Sequence, residues 1–135
     1  MRQVLKVSDR MTQMPISVKP ELPIQEAWTL MRSQQIRHLP VEEAGRFLGV
    51  ISERALRLAS SYEGADRMTA RDVMASKPLK VAPGTPLYRV ALDMAESRSG
   101  SAVVLDGEKV VGIFTTLDAL RALGEILEEE ANQAA

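Results

Sequence analysis

The sequence contains no cysteine, a single histidine and few aromatic residues, which make up 4% of its 135 residues. Without cysteine, disulfides, thiolate catalysis and cysteine-based zinc or iron–sulfur sites are excluded. The lone histidine, His38, also excludes a histidine-rich metal site. Because the roles of acid, base and nucleophile lack a recognisable set of residues, we expect no enzyme and no required cofactor.

Charge excess, long apolar runs and a leader are missing as well. The formal net charge is −1, whereas affinity for a phosphate backbone needs a surplus of Lys and Arg, so we expect no nucleic-acid partner. No apolar run approaches the roughly 20 residues that span a bilayer, so no membrane insertion is expected. The first residues, MRQVLKVSDRMT, also lack the apolar stretch of a signal peptide. Together these absences predict a cytoplasmic globular protein.

A large part of the chain recurs at a fixed offset of 63 residues, so that positions 9–52 are repeated at 72–115 without a gap. The identities pair as Asp9/Asp72, Met11/Met74, Pro15/Pro78, Val18/Val81, Pro20/Pro83, Pro23/Pro86, Met31/Met94, Val41/Val104 and Gly49/Gly112. Because proline fixes φ and removes a donor, each recurring proline marks the same backbone event twice. The sequence therefore predicts two copies of one supersecondary unit, with a functional site between them.

Each copy predicts the order β-α-β-β-α after a short capped helical turn, with Ser8 or Thr69 as the cap. The elements expected in the first copy (and the second) are a turn at 7–11 (70–74), a strand at 16–18 (79–81), a helix at 24–31 (87–94), strands at 39–41 and 47–51 (102–105 and 110–114), and a helix at 53–61 (117–129). Asp106-Gly107 is a strong hairpin signal. We expect an α+β fold in which residues 1–62 form the first repeat and 63–135 the second.

The ordered set of motifs resembles the cystathionine-β-synthase (CBS) domain. The second copy carries Asp72-Val-Met74, Pro78, Val81, Pro83 and Gly112-Ile-Phe-Thr-Thr-Leu-Asp118; the first carries Asp9, Met11, Pro15, Val18, Pro20, Leu39-Pro-Val41 and Gly49-Val-Ile-Ser52. The resemblance covers about residues 7–123. It implies a Bateman module, in which two CBS repeats related by pseudo-twofold symmetry pack through their sheets.

The resemblance also implies a function. Such modules bind adenosine-containing ligands, here AMP, ADP, ATP or S-adenosylmethionine, and pass the signal to an attached or partner protein without catalysing a reaction. It implies a homodimer of modules and an unidentified partner enzyme or transporter. The alternative that the sequence leaves open is a purely structural dimerisation or docking module whose ligand clefts are vestigial.

Asp118 is the predicted ribose acceptor. A carboxylate can accept two hydrogen bonds in a fork and so hold both ribose hydroxyls. In the resembled family the last position of the motif has this role, and Thr115 would turn its hydroxyl toward ribose or phosphate. The alternative is that Asp118 is merely exposed in the first turn of a helix, where the dipole favours it. Ala55 stands at the equivalent position of the first copy and cannot accept a hydrogen bond, so one competent cleft is expected.

The remaining candidates are an apolar wall for adenine and cations for phosphate. The resemblance assigns the wall to Ile113, Met74, Pro78, Leu79 and Val81, although core packing explains Ile113 and Val81 nearly as well. It places basic residues facing phosphate at Arg37 and His38, and Arg121 lies one helical turn after Asp118. An ordinary solvated charge is the alternative for both arginines.

Overall fold

The computed structural model describes residues 3–134, and in this part of the chain the fold is α+β, as the sequence predicts. The helices are α1 (Ile24–Gln34), α2 (Glu53–Ala59), α3 (Ala70–Val73), α4 (Leu87–Ser97) and α5 (Thr116–Ala134). The strands are β1 (Thr12–Gln13), β2 (His38–Glu43), β3 (Arg46–Ser52), β4 (Leu79–Val81), β5 (Ser101–Asp106) and β6 (Lys109–Thr115). Short 3-10 turns occupy Val7–Asp9 and Ala65–Arg67.

The chain forms two compact units that do not coincide with the two repeats along the sequence. Unit 1 contains the chain up to Met14, Leu79–Asp106 and the stretch from Val111 onward. Unit 2 contains Pro15–Pro78 together with the hairpin tip Gly107–Val110. The first residues of each repeat therefore belong to the unit built mainly from the other repeat. The division at residue 62 stays a description of the sequence repeats.

Equivalent contacts, 63 residues apart, attach the first residues of each repeat to the unit built mainly from the other repeat. In unit 1 Lys6 bridges Pro86, and in unit 2 the equivalent residue Thr69 bridges Pro23. The opening turn of each repeat is closed by its aspartate, because Asp9 accepts a hydrogen bond from the Lys6 backbone N–H and Asp72 accepts one from that of Thr69. The N-cap of the first repeat is thus Lys6, so the prediction of Ser8 is wrong, whereas Thr69 is the N-cap of the second repeat as predicted.

Unit 1 contains a four-stranded sheet in the order β1-β6-β5-β4, in which β4 runs parallel to β5. The helices α4 and α5 pack on it, and their inward side chains share one core cluster with strand residues. That cluster comprises Val7, Leu87, Val90, Met94, Ala102, Val104, Phe114 and Ala122. The helical periodicity predicted at 87–94 is confirmed, since Leu87, Val90 and Met94 form the buried stripe.

Unit 2 contains the antiparallel pair β2–β3, covered by α1 and α2. The two strands are joined by Ala44 and Gly45, both at positive φ (53° and 78°), which is the geometry of a two-residue type I′ hairpin turn. The predicted strand at 16–18 does not form: Val18 makes only an isolated bridge to Val41. Ile16 is exposed, so Val18 is the residue of this segment that is held against the core of unit 2.

Helix α5 runs further than the sequence analysis predicts, ending at Ala134 rather than near Glu129. Ala131 and Ala134 have the highest helix propensity, which supports the additional turn. No helix among residues 3–134 is both long enough and apolar enough to cross a membrane.

Candidate functional site

Asp118 lies in the first turn of α5 with its side chain almost completely buried, at 6% exposure. It forms a reciprocal capping box with Thr115: the Thr115 backbone N–H donates to Asp118 Oδ2 at 2.9 Å, and the Asp118 N–H donates to Thr115 Oγ1 at 3.2 Å. The Thr115 hydroxyl lies 3.1 Å from the same carboxylate oxygen. The carboxylate is therefore held rigidly by its own helix terminus.

Thr12 completes this arrangement and was missed by the sequence analysis. Its hydroxyl lies 3.2 Å from Asp118 Oδ1 and 3.3 Å from Oδ2, so it bridges both carboxylate oxygens. Strand β1 positions it, because Thr12 is paired with Ile113 of β6. No local pattern points to Thr12, since 106 residues separate it from Asp118. Its equivalent in the other repeat is Ala75, which has no hydroxyl.

Arg121 extends the same site toward solvent. Its Nη1 lies 3.6 Å from Asp118 Oδ1, and its side chain is 61% exposed, so the guanidinium can still reach an external anion. Leu79 and Val81 lie on β4, at the opposite edge of the sheet from Thr12, and both pack against the core of unit 1. The structure thus gathers Ile113, Thr115, Asp118 and Arg121 around Thr12, but not Leu79 or Val81.

The other four predicted residues belong to unit 2. Arg37 and His38 line an open pocket of about 430 Å³. The other residues lining it are Ser52, Glu53, Arg54 and Arg57. Glu53 pairs with both Arg37, at 3.5 Å, and Arg57, at 2.6 Å, so the pocket is not purely cationic. Glu53 therefore offsets part of the positive charge of Arg37, the residue predicted to face phosphate.

His38 is kept neutral by its surroundings. Burial lowers the pKa of the imidazole below its usual value of 6.5, and the neighbouring positive charge of Arg37 lowers it further. The carboxylate of Glu53 acts in the opposite direction but does not reverse the shift. A neutral His38 supplies hydrogen bonding rather than a full positive charge to any anion in this pocket.

Met74 and Pro78 lie in the segment that follows α3. The backbone of this segment pairs with β3, since the Ala75 N–H donates to the Val50 carbonyl and the Val50 N–H to the Ala75 carbonyl. Met74 packs beside Gly49, where an added Cβ would lie 3.1 Å from its side chain. In the part of the chain that is described, three or more potential metal ligands do not cluster anywhere.

A model of the CBS domain matches the chain twice, over residues 7–62 and 70–125. The chain belongs to the CBS domain family. The family resemblance inferred from the motifs is therefore confirmed, and both matched segments correspond to the sequence repeats.

Several known proteins resemble this tandem CBS chain over nearly its whole length. The CBS domain-containing protein YhcV of Bacillus subtilis is 29% identical over 95% of this chain and 91% of its own. The structure of the CBS domain pair of MJ0100, in complex with 5′-methylthioadenosine and S-adenosylmethionine, has a TM-score of 0.83 at 26% identity and covers 91% and 98% of the two chains. The structure of CBSX2 with AMP, from Arabidopsis thaliana, has a TM-score of 0.80 at 26% identity over 90% and 97%.

Other relatives carry the CBS pair as a minor part of a longer enzyme. The chain spans 23% of the length of an L-aspartate semialdehyde sulfurtransferase from Methanocaldococcus jannaschii. It spans 13% of an A-adding tRNA nucleotidyltransferase from Geobacter sulfurreducens. The similarity in these cases is confined to a region and carries no argument about their catalytic parts.

Proposed function

We propose that this protein is a non-catalytic regulatory module that binds an adenosine-containing ligand through the site around Asp118. The observation that carries the proposal is a buried carboxylate whose two oxygens are bridged by a threonine hydroxyl. The relatives solved with AMP and with S-adenosylmethionine support the choice of ligand class. AMP, ADP, ATP and S-adenosylmethionine are the candidates.

The chemistry of the site favours a sugar hydroxyl. Thr12 places one hydroxyl at 3.2–3.3 Å from both oxygens of Asp118, which is the contact that a ribose hydroxyl would make. Thr115 donates to Oδ2 through both its N–H and its hydroxyl, and the Thr12 hydroxyl lies against both oxygens. A ribose whose two hydroxyls fork across the carboxylate would therefore compete directly with Thr12. Arg121, exposed at the edge of this site, would then face the phosphate or another polar end of the ligand.

Competition with Thr12 provides a route from binding to conformational change. Strand β1 has only two residues, and the hydroxyl of Thr12 is one of its few side-chain attachments. Met14, directly after it, has a φ of 45°, which is unfavourable for a non-glycine residue. A ligand that binds Asp118 only when Thr12 has moved shifts the chain toward the state with a released β1. The released segment would carry the signal to a partner enzyme or transporter.

Two observations favour a second candidate, a structural dimerisation or docking module. Within unit 1, Asp118 is already satisfied by protein donors, and within unit 2, Arg37 is paired with Glu53. Ala55 also removes the acceptor from the first copy. If both sites are vestigial, no adenosine ligand should bind. A cytoplasmic location stays a prediction from the sequence under either function.

Calorimetric titration of AMP, ATP and S-adenosylmethionine tests the proposal. We expect one of them to bind the wild-type protein, and Asp118→Asn to weaken that binding by at least tenfold, which corresponds to about 1.4 kcal/mol. Asp72→Asn is the matched control, since Asp72 closes a similar capping box in unit 2 and should bind normally. Equal affinities for wild type and Asp118→Asn would rule out the ribose contact, and no binding of any ligand would leave the association module.

Thr12→Val separates competition from direct contact. Valine keeps the shape of threonine but removes the hydroxyl that occupies Asp118. If the ligand must displace Thr12, the variant should bind more tightly than wild type. Weaker binding would contradict the competition and would indicate that the hydroxyl contacts the ligand instead.

A further inference from the structure

Met14 carries an exposed apolar side chain on a strained but fixed backbone. Its side chain is 84% exposed, the highest value among the large apolar side chains of the described chain. Its φ of 45° lies in the left-handed region, which non-glycine residues other than Asn and Asp rarely adopt. The backbone is nonetheless held in place, because the Met14 N–H donates to the Val111 carbonyl at 3.1 Å.

The strain at Met14 is not part of the repeated fold. Its equivalent at the 63-residue offset, Lys77, is not among the residues of positive φ in the described chain. The other non-glycine residues of positive φ occupy sites that both repeats share: Gln35 and Arg98 end α1 and α4, and Ala44 and Gly107 lie in the two hairpin turns. The fold therefore does not require the conformation of Met14, and strained residues of this kind cluster at ligand sites.

The direction of the chain places Met14 at one end of the candidate site. Residues 10–12 run antiparallel to α5, since Arg10 Nε lies 3.3 Å from Glu125 Oε2 and the Thr12 hydroxyl contacts Asp118. Met14 continues this path for two more residues, about 7 Å along an extended chain. It therefore lies beyond the first turn of α5, on the side of Asp118 away from Glu125.

An adenosine-type ligand carries its groups in a matching order. Its base and its 5′ substituent are attached at opposite ends of the ribose ring. Arg121 lies one helical turn after Asp118, toward the end of α5, and Met14 lies on the other side of the carboxylate. With the ribose at Asp118 and the polar 5′ end at Arg121, the base extends toward Met14.

The residues that the resemblance assigns to the base leave room for another contact. Leu79 and Val81 lie on β4, at the opposite edge of the sheet from Thr12. Ile113 pairs with Thr12 but is only 5% exposed, so little of its side chain is available to a ligand. A methionine side chain is long, flexible and polarisable, and it makes favourable contacts with aromatic rings.

We propose that Met14 is a ligand-contacting residue, whose thioether side chain packs against the base of the ligand held at Asp118. The inference rests on the proposed function and adds a residue to that site. Binding removes the exposed Met14 side chain and the face of the base from water together, which favours the complex. The contact exists only with ligand present, so the side chain contributes to affinity and not to the stability of the free protein.

Titration and urea unfolding of Met14→Asn test the proposal together. Asparagine tolerates positive φ better than methionine does, so this variant should unfold at the wild-type urea midpoint or above it. Of AMP, ATP and S-adenosylmethionine, the ligand that binds the wild type should bind Met14→Asn about fivefold more weakly, which corresponds to about 1 kcal/mol. Met14→Leu keeps an apolar side chain and should retain most of the affinity. Gln35→Asn is the matched control, since it relieves the same strain at an exposed residue of unit 2 with a φ of 55° and should bind normally.

Two results would overturn the proposal. Equal affinities of Met14→Asn and wild type would show that the side chain does not contact the ligand. A lower urea midpoint for Met14→Asn would show that the side chain supports the fold, so that any loss of affinity is indirect. Failure of the wild type to bind all three ligands would instead refute the proposed function, and this inference with it, so the two failures are distinguishable.

Peroxide footprinting gives a second readout. Hydrogen peroxide transfers one oxygen atom to the thioether, which yields the sulfoxide and water. In the free protein Met14 should be oxidised faster than the other described methionines, which are buried or half-buried. AMP, ATP or S-adenosylmethionine, whichever binds in the titration, should slow the oxidation of Met14 selectively, as measured by peptide mass spectrometry. An unchanged rate at Met14 with saturating ligand would contradict the contact.

Discussion

Replacing Asp118 with alanine should destabilise the protein well beyond the loss of an ordinary helix cap. The substitution removes the acceptor for the Thr115 N–H and for the hydroxyls of Thr115 and Thr12. The Thr115 hydroxyl can still cap the backbone N–H of residue 118. The loss therefore comes from the capping-box bond of the Thr115 N–H, about 1 kcal/mol, and from buried donors left unsatisfied, about 1–3 kcal/mol more. We therefore expect the free energy of unfolding to fall by about 2–4 kcal/mol.

Asp72→Ala is the internal comparison for this value. Asp72 makes the same type of contact with Thr69, through its N–H at 2.9 Å and its hydroxyl at 3.3 Å, but in an exposed position. It has no bridging hydroxyl from a distant strand, and water can replace it, so we expect a loss of about 1 kcal/mol or less.

Urea unfolding followed by far-ultraviolet circular dichroism measures both losses, because helices of both units contribute to the signal. The urea midpoint should be highest for the wild type, lower for Asp72→Ala and lowest for Asp118→Ala. If both alanine variants unfold at the same midpoint, the buried carboxylate adds nothing beyond a cap. The structural argument for Asp118 would then be incorrect. A destabilised Asp118→Ala variant would also lose ligand affinity indirectly, so Asp118→Asn is the better probe of the ribose contact.

Two further predictions concern the glycines Gly49 and Gly112 and the buried His38. Gly49→Ala should lower the melting temperature more than Gly112→Ala. An added Cβ at Gly49 would lie 2.5 Å from the Ala75 backbone oxygen, whereas at Gly112 it would meet only the flexible side chain of Met11. Equal losses in melting temperature would contradict this. His38→Gln should make the free energy of unfolding depend less on pH. Because burial lowers the pKa of His38 below 6.5, the unfolded chain binds the proton more readily than the folded chain. The stability of the wild type therefore falls as the pH drops below 6.5. Urea midpoints measured from pH 7.5 down to pH 5 should show the difference, and parallel curves for the two proteins would refute it.

Local periodicity was sufficient for much of the fold. The stripes at 24–31 and 87–94 predicted α1 and α4 because the spacing of apolar residues reflects which side of a helix is buried. The hairpin at Asp106-Gly107 was predicted from turn chemistry, and Gly107 indeed has a positive φ of 65°. The predicted strand at 16–18 is reduced to one bridge, because only Val18 of this segment pairs with β2 while Ile16 is exposed.

The candidate site was predicted less completely than the fold. Asp118 and Thr115 follow from the family motif, and they share a capping box at the start of α5. The alternative of an exposed aspartate in the first turn is wrong about exposure, since Asp118 is only 6% exposed. The role of Glu53 beside Arg37 could not be read from the sequence, because their contact depends on how β2 and α2 are packed. The ribose and phosphate contacts themselves stay predictions.

Local spacing that recurs at 63 residues is enough to predict the repeat, the helices and the inward-facing core. Long-range packing, in contrast, places the first residues of each repeat in the unit built mainly from the other repeat. That exchange brings Thr12 to Asp118 across 106 residues of chain. The physical reason is that backbone pairing between distant segments is set by the packed surfaces that bring them together, and no local preference of Thr12 specifies its partner.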